Sequence, residues 1–398
     1  MTLGLLTSRK YFTSVLLLLT IFIPINYISN NSAYTVFYPG LVFSSGFLCK
    51  EISIRRKLFF GNVLKNPILI FTIFFLILGA LSTPLPKRSL SFDLSLILIL
   101  LILSLHGEVI HTDALIKVWA TSVAVLGIMV VYEILNKNSF IYSKLNIKSM
   151  LPINQNWTTY RIVASFGHPL TAGTFFACTA IIFLHLYFIR KNYLNLFITL
   201  LSTICTFLTF SRGSIIGLVF GIFLSLLRNQ FKRSFATKVI SLLAIGIPLL
   251  FIAIQIIGFR SKSLEGYNSF STRVDIFKFY IVSPSRIIFG VGGGNAQVVF
   301  NNSSSNRLIL ENSILQALLG LGLLNLMLYL YSIRFILNKR KFNTSLSPFL
   351  VTFLISISSF NYFEGARWLH MILPLSILVL TNTDLAFDQN VTNNYKKD

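Results

Sequence analysis

Apolar residues fall in long runs, separated by short polar segments, over most of the chain. Runs of about 17 to 25 residues are long enough to cross a bilayer as helices, and the pattern predicts about twelve of them. We place them near residues 11–29, 33–49, 67–83, 92–106, 115–134, 169–189, 193–210, 213–227, 237–258, 313–337, 347–363 and 368–384. The expected fold is an all-α, polytopic integral membrane bundle over residues 1–385, followed by a short cytoplasmic tail over 386–398.

Composition agrees with this pattern. Hydrophobic residues make up 54% of the 398 residues and charged residues only 12%, which excludes an ordinary soluble domain. The first apolar run follows Arg9 and Lys10, as in a signal peptide, but no small-x-small cleavage site precedes Tyr27. We therefore expect this run to be a retained helix.

Basic residues predict the orientation, because short cytoplasmic loops are rich in lysine and arginine. With twelve helices the main basic clusters fall on one side, and both termini are expected to be cytoplasmic. The pair Lys87/Arg88 breaks the pattern. The clusters are Arg9/Lys10, Lys50/Arg55/Arg56/Lys57/Lys65, Arg190/Lys191, Arg228/Lys232/Arg233/Lys238, Arg334/Lys339/Arg340/Lys341 and Lys396/Lys397. The net charge of +22 is therefore partly a topology signal, which favours weak attraction to anionic membrane lipids over nucleic-acid binding.

External loops are expected at about 135–168 and 259–312. The second carries Arg273, Arg286 and Arg307 with a glycine cluster that includes Gly292. Arginine forks and glycine backbones suit phosphate-bearing substrates. A flexible turn is the alternative for the glycines, since the lysine of a P-loop is missing.

Arg212 stands in Phe210-Ser211-Arg212-Gly213-Ser214, which separates two apolar helices with almost no loop. An ionisable residue there predicts a functional role, although an arginine can also reach lipid phosphates or cap a helix. Arg161 lies in the first external loop, where sugar or a lipid headgroup is its expected contact. For Arg273 a local ion pair with Asp275 is equally consistent with the residues.

Glu311 and Asn312 precede the helix at 313–337. Glu311 is a candidate base for a sugar hydroxyl, while the alternative that we favour from sequence is helix capping, with Asn312 as the N-cap. His168, beside Pro169, is expected to make a helix-entry hydrogen bond. Gly320 and Gly322 are expected to allow close helix packing.

The order of these features resembles the O-antigen ligase and polymerase superfamily over about residues 161–322. The matching segments are Phe166-Gly167-His168-Pro169, Ser211-Arg212-Gly213, the loop with Arg273 and Phe289-Gly290-Val291-Gly292, Glu311-Asn312, and Gly320-Leu321-Gly322. The resemblance implies that the external face binds undecaprenyl-diphosphate-linked glycans, with Arg212 and Arg273 holding the diphosphate. Ligases that transfer O-antigen to lipid A typically have His-Asn where this chain has Glu311-Asn312, so the resemblance favours a repeat-unit polymerase.

The implied activity is polymerisation of polyprenyl-diphosphate-linked repeat units into a cell-surface polysaccharide at a bacterial plasma membrane. A flippase and a chain-length regulator are expected partners. The implied catalytic residue is Glu311. The implied binding residues are Arg212, Arg273, Arg286, Arg161, Gly292 and Asn312. No cofactor is expected, because the five histidines lack metal-ligand spacing and no nucleotide motif occurs.

Two alternatives remain open. One is a ligase that transfers the glycan to lipid or protein. The other is a secondary transporter, against which we weigh the concentration of charges near the external face and the lack of repeated hydropathy with paired broken helices.

Overall fold

The computed structural model describes residues 2–23, 39–64, 66–83, 85–105, 112–141, 160–229, 284–303, 312–338, 346–358 and 372–381, with 251 and 255 as single positions. Every regular element in these ranges is an α-helix, so the all-α prediction is confirmed for the described part of the chain. In chain order the helices are α1 Thr2–Leu6, α2 Arg9–Phe22, α3 Pro39–Leu64, α4 Pro67–Leu81, α5 Pro86–Leu105, α6 Thr112–Asn136, α7 Pro169–Arg190, α8 Tyr193–Leu208, α9 Arg212–Asn229, α10 Pro284–Phe289, α11 Ala296–Ser303, α12 Ser313–Asn338, α13 Leu346–Ile357 and α14 Ile372–Thr381.

Three described segments are long and apolar enough to cross a membrane, namely Thr112–Asn136, Pro169–Arg190 and Ser313–Ile336. Several shorter helices are also apolar, including Pro67–Leu81 and Tyr193–Leu208. These helices indicate a membrane protein. The helix predicted at 237–258 lies almost entirely outside the described residues.

Helix α3 differs from its prediction, because it continues beyond residue 49 through the basic segment to Leu64. The sequence from Lys50 to Phe60 contains neither proline nor glycine, so no residue in it is expected to end a helix.

The next helix, α4, has a well-defined start. Asn66 caps it by accepting a hydrogen bond from the backbone N–H of Leu69 at 3.3 Å, and Pro67 occupies the first helical position.

The chain groups into two compact units. The first unit comprises 1–115, 268–342 and 360–375, and the second comprises 116–267, 343–359 and 376–398. In the second unit α7 packs against α8, α9 and α13 and is buried along most of its length. Helix α6 is tied to α7 by the Trp119 indole, which donates to the Thr179 hydroxyl at 3.2 Å.

One face of α9 carries a small residue at every fourth position, from Gly213 through Gly217 and Gly221 to Ser225. A Cβ atom on Gly217 would lie 2.7 Å from the Thr352 carbonyl oxygen of α13, and one on Gly221 would overlap the Thr352 side chain. The Thr352 hydroxyl donates to the Gly217 carbonyl at 3.0 Å. Small residues and hydroxyls thus bring the two helices together, as is typical of packing within membranes.

In the first unit α12 packs against α4 and α5. The hydroxyls of Thr72 on α4 and Ser332 on α12 are hydrogen-bonded at 2.6 Å. Helix α12 is not continuous, because Gly322 has φ 78° and ψ 159° and interrupts its helical conformation. This interruption divides a segment that is otherwise long enough to cross a membrane.

Candidate functional site

The turn between α8 and α9, defined as residues 209–212, lies in the second unit. Phe210 adopts a left-handed conformation with φ 50°, and the Ser211 N–H donates to the Thr209 hydroxyl oxygen at 3.2 Å. The start of α7 packs directly on this turn. A Cβ atom on Gly173 would lie 2.8 Å from the hydroxyl oxygens of both Thr209 and Ser214. The turn is therefore compact, and its buried hydroxyls occupy the space that a larger residue at Gly173 would need.

Arg212 begins α9 at this turn and is half-buried. Arg161 reaches the same turn from the preceding loop. Its side chain is 5% exposed, and its Nε donates to the Thr209 carbonyl oxygen at 2.9 Å. A cation is favourable there because carbonyl groups carry partial negative charge at a helix C-terminus. The structure thus places the two predicted substrate arginines of this unit at one turn. The Nε atom of Arg161 is hydrogen-bonded to a backbone carbonyl there.

The loop that carries Arg161 is fixed by Glu133 of α6. The Glu133 carboxylate accepts hydrogen bonds from the Tyr160 hydroxyl at 2.7 Å and from the backbone N–H groups of Val163 and Ala164 at 2.8 Å each. Ala164 has φ 49°, which an L-residue adopts only when its surroundings require it. One buried carboxylate therefore holds two consecutive backbone N–H groups after Ile162 and the Tyr160 side chain before it.

Glu133 was not among the predicted site residues, although the sequence contains a signal for it. It is one of only 12 acidic residues and lies in an otherwise apolar helix, where an ionisable group is expected to have a specific role. Its contacts assign it the role of holding the loop. Arg161 depends on that loop for its position, so Glu133 is a positioning residue for the arginine.

His168 is the N-cap of α7. Its Nδ1 accepts a hydrogen bond from the backbone N–H of Leu170 at 3.2 Å, and Pro169 is the first helical residue. The predicted helix-entry role is confirmed. The proline adds to the cap because its fixed φ suits the first helical position, where no backbone donor is needed.

The glycine cluster lies in the first unit and forms the turn between α10 and α11. Gly290 and Gly322 both have φ 78°, and a Cβ atom on either would lie about 2.5 Å from backbone atoms of the other's segment. The Val291 N–H donates to the Leu319 carbonyl at 2.8 Å, on the N-terminal side of the interruption in α12. The turn thus supplies a partner for a carbonyl at the interruption. Gly322 is closely packed, as predicted, but it interrupts the helix and its neighbours are the backbone at the end of α10 and Gly290.

A cavity of about 310 Å³ opens beside this interruption. Its polar lining comes from Ser82, Thr83, Asp93 and Asn325, together with the backbone of the glycine turn. Leu321 and Val299 contribute apolar surface. Volumes near 300 Å³ are at the lower end of the range for small-molecule sites in proteins.

Asp93 of α5 is 2% exposed and faces the glycine turn. A Cβ atom on Gly293 would overlap its Oδ1, and one on Gly292 would overlap Thr83 and lie 2.7 Å from the Ser89 hydroxyl. Gly292 also has φ 92°, which other residues rarely adopt. The glycines therefore permit a close approach of backbone to a carboxylate, whereas the sequence led us to expect an approach to phosphate.

The remaining predicted residues are placed as follows. Asn312 caps α12, because its Oδ1 accepts from the Leu315 N–H at 3.0 Å, which confirms the capping interpretation. Arg286 lies in α10, and only its place in the helix is described. Arg273, Arg307 and Glu311 lie outside the described residues. Within the described ranges, no three histidine, cysteine or acidic side chains are grouped as a metal site.

Over the described residues the chain is all-helical, and three of its helices are long and apolar enough to cross a membrane, which indicates the class of membrane proteins. No family model matches the chain, and no curated protein matches it.

Proposed function

We propose that the protein polymerises polyprenyl-diphosphate-linked oligosaccharide repeat units into a cell-surface polysaccharide, such as O-antigen, capsule or exopolysaccharide. The reaction forms a bond between the anomeric carbon of the donor glycan and a hydroxyl oxygen of the incoming repeat. The bond to the donor diphosphate breaks, its electron pair leaves with the diphosphate, and the hydroxyl proton goes to a base. Glu311 is the proposed base.

The observation that carries this proposal is the pair of arginines at the 209–212 turn. Arg212 begins α9 where almost no loop separates two apolar helices, and Arg161 donates a hydrogen bond to the Thr209 carbonyl of the same turn. Guanidinium groups near a membrane surface suit a diphosphate that gains charge as it leaves, and they need no metal ion. Arg273 and Arg286 are proposed to contribute to diphosphate or glycan binding as well.

The proposal includes a topology of about twelve spanning helices in a bacterial plasma membrane, with both termini cytoplasmic and external loops near 135–168 and 259–312. Reporter fusions test it. A phosphatase fused after Gly167 is expected to be active, because that enzyme requires an external environment, and a fusion after Lys191 is expected to be inactive. The reverse result would invert the orientation and place Arg212 on the wrong face for an external polymerase.

The activity is tested in the native host after deletion of its own copy of this protein. The parent protein and the variants Arg212→Ala, Arg273→Ala and Glu311→Gln are produced at matched membrane levels, and the glycan ladder is compared. We expect a ladder with the parent and single repeats with the arginine variants. A normal ladder with Glu311→Gln would remove the base assignment, and the absence of a ladder with the parent would overturn the polymerase proposal.

Transfer of the glycan to lipid or protein is the first alternative, and the same assay separates it. If the protein is a ligase, its deletion would leave the ladder intact on the polyprenyl carrier and abolish the appearance of the ladder on the final acceptor. Lipid extraction before electrophoresis distinguishes these two pools.

A secondary transporter is the second alternative, and one observation favours it specifically. Interrupted helices that border a polar cavity form substrate and ion sites in many carriers, and α12 has this arrangement at Gly322. Solute uptake that is lost on deletion and restored by the Arg212→Ala variant would support transport over polymerisation.

A further inference from the structure

The cavity beside the interruption of α12 has a lining that suits one particular kind of ligand. Asp93 and Asn325 offer side-chain oxygens, while Ser82 and Thr83 offer hydroxyls. Apolar surface from Val291, Val299 and Leu321 completes the wall, and no described residue that lines it carries a positive charge. Such a lining favours a neutral molecule that has several hydroxyl groups and apolar C–H faces.

Three buried oxygens at or near the cavity have no hydrogen-bond partner among the residues that the structure describes. One of them is Oδ1 of Asn325, which lines the cavity. Oδ1 of Asn295 and the hydroxyl of Ser89 are not part of the lining, but both residues lie next to Gly292, which is, and these two buried oxygens also have no partner in the described part of the chain. Buried oxygens of this kind cost free energy unless a ligand or water supplies a donor. A polyhydroxylated ligand supplies several donors within a small volume.

The glycine turn forms one wall of this cavity. Side chains at Gly292 or Gly293 would collide with Thr83 and with the Asp93 carboxylate. Gly290 must remain small for a different reason, because it lies against the backbone at Gly322. The cluster therefore builds the wall of the cavity and leaves Asp93 at its edge.

We propose that this cavity binds one sugar ring of the lipid-linked repeat unit, with Asp93 and Asn325 accepting hydrogen bonds from its hydroxyl groups. The assignment rests on the proposed function for the identity of the substrate. It differs from the predicted phosphate role of the glycine cluster, since the nearest described charge is a carboxylate. Its volume of about 310 Å³ limits the bound part to a single ring and leaves the rest of the glycan outside.

Cysteine protection tests the proposal directly. Ser82 lines the cavity and is exposed, so a cysteine at this position is expected to be tolerated and to react with N-ethylmaleimide. The background protein has Cys49, Cys178 and Cys205 replaced by alanine. The probe is the lipid-linked single repeat extracted from the native host after deletion of its polymerase, added to Ser82→Cys protein in nanodiscs.

We expect the single repeat to slow labelling about tenfold at a concentration about ten times its Kd, because the fraction of protein without ligand equals 1/(1 + [L]/Kd). Undecaprenyl phosphate without sugar is expected to give no protection. Ser53→Cys, at an exposed position of α3 outside the cavity lining, is the matched control and should label at the same rate with or without the repeat. Asp93→Asn in the Ser82→Cys protein is expected to raise the concentration for half-protection about ten- to a hundredfold.

Unchanged labelling of Ser82→Cys and of a second variant, Thr83→Cys, would overturn the sugar site even if the cysteine-free protein makes a normal ladder. Protection by undecaprenyl phosphate alone would also overturn it, because the lipid would then be the ligand. Loss of the ladder together with sugar-dependent protection would instead overturn the polymerase and leave the sugar site standing. For Asp93→Asn, protection from labelling therefore tests the sugar site, and the glycan ladder separately tests the polymerase.

Discussion

Gly290 and Gly322 lie backbone against backbone, and both have φ 78°. Gly290 follows α10, while Gly322 interrupts α12, so the contact joins a loop to the point where a helix loses its regular hydrogen bonds. The nearby bond from the Val291 N–H to the Leu319 carbonyl restores one of those lost contacts. The interruption is thus built into the packing of the first unit.

Alanine at either glycine is expected to destabilise the protein. The backbone conformation costs about 1–3 kcal/mol for a residue with a Cβ atom, and the overlap with the facing backbone adds to this cost. Melting of the purified protein in detergent measures the effect for Gly290→Ala and Gly322→Ala. Gly127→Ala is the control, because its Cβ would meet only the flexible side chain of Leu201. Equal melting temperatures for all three variants would contradict the interpretation.

Replacement of the Glu133 carboxylate is expected to destabilise the loop that carries Arg161. Glu133→Gln leaves one backbone N–H without its acceptor, and we expect a loss of about 1–3 kcal/mol in unfolding free energy. Tyr160→Phe removes the hydroxyl donor alone and should cost less. Because both changes disturb one network, their effects should not add in the double variant.

Equilibrium unfolding in mixed micelles measures these free energies, and limited proteolysis reports the loop itself. Thr121→Ala is the control on the same helix, since Thr121 is exposed and its hydroxyl only donates to the Lys117 carbonyl within α6. If Glu133→Gln behaved like this control, the carboxylate would not be what fixes the loop.

Two arginines at opposite ends of α9 provide a matched test of the diphosphate role. Arg212 begins the helix and Arg228 lies in its last turn. Lysine keeps the charge but cannot form the two-pronged contact of a guanidinium with phosphate oxygens. Arg212→Lys is expected to lower the rate of polymerisation about a hundredfold or more, as expected for loss of a donor to developing negative charge.

Arg228→Lys is expected to leave the glycan ladder unchanged. The two variants are compared in one host at equal membrane abundance, with ladder length and initial rate as readouts. A full ladder with Arg212→Lys would mean that charge alone is sufficient at this position.

A larger side chain between α9 and α13 is expected to destabilise the second unit. Leucine at Gly217 would overlap Thr352 and Ser356, and leucine at Gly221 would overlap Thr352 and Ile181. Overpacking of this kind costs about 1–3 kcal/mol or more. Phe220→Leu is the control on the same helix. The Phe220 side chain is 52% exposed, so this change should alter the stability little. Thermal stability in detergent gives the comparison, and tolerance of Gly217→Leu would show that the helices separate without cost.

Sequence patterns predicted much of what is local. The apolar runs predicted the all-helical class, and the residue types at helix starts predicted the caps formed by His168 and Asn312. These features depend on neighbours a few positions away, so one sequence is sufficient to predict them. The length of α3 was mispredicted because hydropathy reports where a helix is apolar and not where it stops.

The contacts that define the cavity are different in kind. Asp93 and Gly293 are 200 positions apart in the sequence, and neither hydropathy nor residue spacing predicts that they are in contact. The glycine cluster was therefore interpreted from its own composition, which favoured phosphate. Glu133 was missed for the same reason, since its partners are backbone N–H groups about 30 residues away that carry no sequence signal.

The hydrogen bond between Thr352 and Gly217 joins residues that are 135 positions apart in sequence. During synthesis, α9 therefore emerges from the ribosome well before α13 exists to cover its small-residue face. A chain that stops short of α13 would lack the Thr352 side chain that covers Gly217 and Gly221, so the packing of α9 is completed only by a segment that is made much later.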